Sequence, residues 1–158
     1  MLVEVKVGAL IMDPNSNTPI VVLKGVESEA ILPIWVGAYE ANAIALEIEK
    51  IVPQRPMTHD LLRNLIVETG FTVERVIVTD LRENTFYASI ELKGANDEKL
   101  SLDARPSDAI ALALRADCPI FVEQSVLDIS AANTSSGELE NDPEETVAPS
   151  EDWPDVIG

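Results

Sequence analysis

Hydrophobic and polar positions change period several times along the chain, and each change marks an element. Val3, Val5 and Val7 alternate with Glu4 and Lys6 and run into an apolar stretch, so Leu2 to Asp13 reads as a strand. Asp13-Pro14-Asn15-Ser16-Asn17 is a dense turn signal, and Ile20 to Leu23 returns as the second arm of a hairpin. Ala30 to Val36 reads as a third strand, placed at an edge or bulge by Pro33. The period then shifts to that of a helix. Ala38 to Ile51 sets Ala41, Ile44, Ala45, Ile48 and Ile51 on one stripe, and Val52 to Met57, with two prolines, is a stiff loop. Thr58 can cap a second helix, with Leu61, Leu62, Leu65 and Ile66 directed inward and Gly70 as its stop.

Period two then returns. Val73 to Leu81, Thr85 to Leu92 and Lys99 to Asp103, joined by the turns Arg82–Asn84 and Gly94–Asp97, make an antiparallel meander. It feeds directly into Asp103–Arg115, DARPSDAIALALR. Pro106 suits the first helical position, Arg105 is pushed to extended geometry before it, and Asp108 falls in the first turn. From Ala109 to Leu114 every residue is apolar, which marks a buried helix. Pro119 to Glu123 is a short apolar strand and Ser125 to Ser130 a last helical turn or two. The expected class is α+β, a mostly antiparallel or mixed sheet with three main helices, one of them buried.

From Asn133 the pattern is lost. Residues 133–158 read as an acidic disordered tail, with Trp153, Val156 and Ile157 as isolated apolar residues, so the domain is placed at 1–132. Charge alters the functional picture. The chain has 28 acidic and 11 basic residues and a net charge of −17, of which −9 lies on residues 1–132. Proteins that hold nucleic acid through phosphate neutralisation are normally basic, so any such role here needs a local basic patch or bridging cations. Cys118 is the single cysteine, which precludes an internal disulfide and, with no signal sequence and no apolar run long enough to cross a bilayer, points to the cytoplasm.

The candidate chemistry gathers at helix starts. Glu40, Asp60 and Asp108 each stand in a first turn; His59, the only histidine, adjoins Asp60, and Asp103 adjoins the third start. The structural alternative is that these acids serve only the helix dipoles and that Asp103 pairs with Arg105. No glycine-rich phosphate loop, paired-cysteine zinc spacing or serine nucleophile elbow is present. His59-Asp60 lacks the additional histidines that a metal phosphohydrolase needs.

Leu32–Gly37, Glu40-Ala41, Ala43–Ala45, Arg55-Pro56, Thr58–Leu62, Val76–Leu81, Phe86–Ala88, Asp103–Arg115 and Pro119–Val122 form a recognisable set, and together they resemble the bifunctional nuclease domain family of bacteria and plants. The resemblance spans about residues 1 to 130 and implies an α+β domain, often a homodimer, with RNase and DNase activity. It brings no agreed catalytic set, so the candidates are polar residues in the matched stretches that packing alone does not demand. Glu40, His59, Asp60, Asp103 and Asp108 are the catalytic candidates, and Arg55, Arg105 and Ser107 the substrate-binding ones. Asp60, Asp103 and Asp108 are the expected ligands of Mg²⁺ or Mn²⁺, which would lower the pKa of a bound water. The alternative function is a non-catalytic binding or assembly domain whose polar cluster is structural or holds a small ligand.

Overall fold

A computed structural model describes residues 1–135. Seven strands form one sheet: β1 (Leu2–Asp13), β2 (Thr18–Gly25), β3 (Ile31–Trp35), β4 (Thr72–Arg82), β5 (Thr85–Lys93), β6 (Lys99–Ala104) and β7 (Ile120–Glu123). Their spatial order is β3-β2-β1-β7-β4-β5-β6. Neighbours are antiparallel except β4 and β7, which run parallel with Val76 opposite Ile120, so the sheet is mixed. The helices are α1 (Ala38–Ile48), α2 (Thr58–Glu68), α3 (Pro106–Ala116) and α4 (Gln124–Ser135).

One core joins the sheet to the helices. Val76, Val78, Ile90 and Val122 pack against Ile44, Ile66, Ile110, Leu112 and Val126. Helix α3 lies deepest, with Ala109 to Ala113 all at most 1% exposed, as its unbroken apolar run requires. The meander β4-β5-β6 enters α3 directly, and Pro33 does lie on an edge strand.

Four details differ from the sequence reading. Helix α1 stops at Ile48, because Lys50 turns left-handed at φ 59° and Pro53 holds Val52 out of the helical region. Ile48 and Ile51 are consequently exposed, and the buried residues of α1 are Ala41, Ala43 and Ile44. In α2, Met57 rather than Thr58 is the capping residue; Leu62 and Ile66 turn inward, while Leu61 and Leu65 face solvent. Among the described residues there are four helices rather than three main ones. The last runs twelve residues to Ser135, anchored by buried Val126 and Leu127, and so takes in the first three residues read as tail. The remainder of that tail, with Trp153, Val156 and Ile157, lies outside the described residues.

Candidate active site

The N-termini of α1, α2 and α3 converge on a cavity of about 770 Å³. Tyr39 and Glu40 come from α1, Thr58 and His59 from α2, and Arg105 and Asp108 from the start of α3. Ile90 and Leu102 close it on the sheet side. Its volume is in the range of small-molecule and substrate sites.

A run of charged hydrogen bonds crosses the cavity. His59 Nε2 lies 2.9 Å from Asp108 Oδ1. Arg105 donates from Nε to Asp108 Oδ2 at 2.9 Å and from a terminal nitrogen to Glu40 Oε2 at 2.8 Å. These two acceptors, Glu40 foremost, raise the pKa of the guanidinium above its ordinary value. Asp108 Oδ1 accepts from His59 Nε2 when the ring carries a proton there, and Nδ1 is then the nitrogen left for proton exchange. The imidazole is buried, with 11% of its side chain exposed, whereas 64% of the Arg105 side chain is open to solvent. A largely buried imidazole thus stands beside a solvent-open guanidinium.

Behind this run lies a second, structural one. Arg115 donates from Nε to Asp60 Oδ1 at 2.7 Å and from its terminal nitrogens to the carbonyls of Ala111 and Ala43, each at 3.0 Å. Asp60 Oδ2 accepts the Met57 amide at 2.9 Å. Burial acts most strongly on the Asp60 carboxyl and opposes its charge. The Met57 amide and Arg115 together outweigh burial and hold its pKa below the ordinary 3.8. One guanidinium therefore ties α1, α2 and α3 together.

The other expected residues are dispersed. Asp103 borders the cavity at the sheet edge, but its strand neighbours Leu102 and Ala104 share the face of buried Ile90 and Ala88. Alternation along β6 therefore turns the Asp103 carboxylate to the opposite face, beside Ser89. It pairs with neither Arg105 nor any other charge among the described residues; Arg105 takes Glu40 and Asp108 instead. Ser107 is buried and does not line the cavity, and Arg55 is exposed in the loop before α2, also away from its lining.

These positions do not fit a shared cation site on Asp60, Asp103 and Asp108. The oxygens of Asp60 are engaged by Arg115 and Met57, those of Asp108 by His59 and Arg105, and Asp103 faces the other side of the sheet. Among the described residues no three His, Cys, Asp or Glu side chains are grouped to hold a metal ion.

Arg115 was not among the site candidates, although it closes the signature stretch. Its signal was legible: a lone charge ending an apolar helix, seven residues after Asp108 and so two turns along the same face. Tyr39 and Asn42 also line the cavity and carried no comparable sequence signal.

The fold and site together define an α+β domain that gathers a polar cleft from three helix starts. Residues 21–135 match the bifunctional nuclease domain, and the chain belongs to that family. It is 43% identical over 124 residues to an uncharacterized protein of Mycobacterium tuberculosis, covering 78% of this chain and 73% of that one. It is 29% identical over 109 residues to bifunctional nuclease 1 of Arabidopsis thaliana, covering 67% of this chain and 34% of the plant protein. It is 30% identical over 101 residues to bifunctional nuclease 2 of Oryza sativa subsp. japonica, covering 63% of this chain and 31% of that one. The chain thus spans about a third of the plant relatives it matches. No helix among the described residues is long and apolar enough to cross a membrane.

Proposed function

We propose that this chain is a nuclease, hydrolysing phosphodiester bonds in RNA and DNA as a cytoplasmic homodimer. The observation that carries the reading is the run His59–Asp108–Arg105–Glu40 across the cavity, built from residues far apart in sequence. His59, oriented by Asp108, takes a proton from water at Nδ1 as the oxygen attacks phosphorus. The bond to the leaving oxygen breaks, that oxygen takes a proton from solvent water, and His59 returns the proton it accepted to solvent. Arg105 offers its remaining N–H groups to the phosphate as charge builds. Membership of a nuclease family and plant relatives named bifunctional nuclease support the substrate class.

Mg²⁺ or Mn²⁺ enters this reading as a counter-ion on the nucleic acid, offsetting repulsion from a chain of charge −17, and not as a ligand of the three aspartates. The test is cleavage of single-stranded RNA and DNA by wild-type protein and by His59→Gln and Asp108→Asn, each with and without EDTA. The expected result is activity that co-purifies with the chain, weakens in substrate affinity on chelation, and falls in both variants. Cleavage unaffected by either substitution would identify a contaminating nuclease and sink the proposal.

A second reading has its own support. Glu40, Asp60, Asp108, Arg105 and Arg115 are each already paired within the protein, as in a structural network. On that view the chain is a non-catalytic binding or assembly domain. The same substitutions would then lower stability, and the pure wild-type protein would cleave nothing.

A further inference from the structure

We propose that a second copy of this chain docks on the free edge of β6, by antiparallel pairing of β6 with its own counterpart about a two-fold axis through Ser101. This deepens the homodimer in the proposed function and rests on none of the cleavage chemistry.

The sheet ends in two edges, β3 and β6. On β3, Pro33 removes an amide, a common protection against edge-to-edge association. On β6 there is no proline and no bulge, and five of its six residues are exposed. Two of them are leucines: Leu100 is 47% and Leu102 41% exposed, both on the face that carries the helices. An edge with unpaired backbone groups and exposed leucines is a template for another strand.

The order of side chains along β6 identifies the occupant. Lys99-Leu100-Ser101-Leu102-Asp103 is self-complementary when reversed. With Ser101 opposite its copy, Lys99 faces the partner's Asp103 and Leu100 faces the partner's Leu102, and the two-fold axis makes each pair occur twice. A slip of one residue in either direction sets one leucine against Ser101 and the other against a charged residue. A slip of two sets a charge against Ser101. The chosen register also supplies a partner for Asp103, which has none among the described residues. Lys99, 64% exposed, would trade its 3.5 Å ion pair with Glu74 for this pairing or share between the two.

Five residues of strand pairing fall short of the roughly 800 Å² per partner of a stable interface. Leu62 of α2 lines the same cavity as Leu102, so the contact can continue from the strand across the cavity mouth. Because Leu102 and Ala104 line the cavity, the docked copy sets its Leu100 against the cavity's outer wall, so the dimer shapes the site.

The test follows assembly, so it succeeds or fails independently of cleavage. Wild-type protein is expected to sediment as two copies at micromolar concentration. In a Cys118→Ser background, Ser101→Cys is expected to form a covalent dimer on mild oxidation. Directly opposite residues lie about 4.5–5.5 Å apart, within disulfide reach. Lys99→Cys is expected not to, because its copy lies four residues away, roughly 13 Å. Asp103→Lys is expected to weaken the dimer roughly tenfold, and Lys99→Asp added to it to restore the affinity. A single-copy wild type, equal cross-linking at 99 and 101, or a charge-swapped protein no tighter than Asp103→Lys each overturns the proposal.

Discussion

Arg115 donates to Asp60 at 2.7 Å across fifty-five residues of chain, with 3% of the arginine side chain and 17% of the aspartate exposed. Two charges so far from water repay their desolvation only while both are present and fully hydrogen-bonded. Arg115 meets that condition through the carbonyls of Ala43 and Ala111, and Asp60 through the Met57 amide.

Removing one partner strands the other. Asp60→Asn leaves a buried guanidinium without its counter-charge, and a loss of about 3–5 kcal/mol is expected in urea unfolding. Replacing both with apolar residues of similar volume, Asp60→Leu with Arg115→Met, is expected to cost less than Asp60→Asn alone. A pair of additive losses would show that the ion pair is not what joins the helices.

The same contact gives stability a pH dependence of known sign. The folded-state pKa of Asp60 is depressed, so its contribution is complete above the ordinary value of 3.8 and is lost as pH falls through the lower folded value. Wild-type stability should therefore decline on acidification below about pH 4, and Asp60→Asn should flatten that part of the curve. Denaturant midpoints measured from pH 6 to pH 2 check this.

At the cavity, His59→Gln removes the imidazole and Asp108→Asn the negative charge from a 2.9 Å contact. General acid–base groups contribute about 10²–10⁴-fold, so cleavage is expected to fall by that order in either variant. Because the two residues act as one unit, the double variant should be little worse than either single one. Additive losses in kcat would place them in separate roles.

Arg105→Lys keeps the charge and discards the fork that meets Glu40 and Asp108 at once. A hydrogen bond to a charged group is worth about 1.5–3 kcal/mol, so KM is expected to rise roughly tenfold or more. Initial-rate kinetics on a short single-stranded substrate measure it, and an unchanged KM would remove Arg105 from phosphate binding.

Burial pushes the Cys118 thiol up to about 11. Little thiolate forms at neutral pH, so the native protein should resist alkylation and the unfolded chain should react readily. Mass spectrometry after iodoacetamide treatment, with and without urea, distinguishes the two.

The elements were legible because each follows from local periodicity. The meander Val73 to Asp103 alternates over most of its length, apart from the buried Val76–Val78 run and two register shifts in β4, and appears as β4-β5-β6; the unbroken apolar run from Ala109 appears as the buried α3. Where local signals competed, ends moved. Ile48 and Ile51 continued the stripe of α1 on paper, but the left-handed Lys50 and the approach to Pro53 ended it. Leu61 and Leu65 looked inward by hydrophobicity, yet α2 has room for one buried stripe, and Leu62 and Ile66 hold it.

By itself the sequence determined the α+β class, the order of strands and helices, and the acids at three helix starts, because these depend on residues within a few positions of one another. Tertiary structure alone decided which polar residues meet. Asp103 and Arg105 stand two apart in the chain, yet strand alternation sends Asp103 to the opposite face of the sheet, while helix packing brings Glu40 from sixty-five residues away to Arg105. Periodicity shows which face a side chain occupies within its own element. Which faces are set together depends on how the helices lie on the sheet.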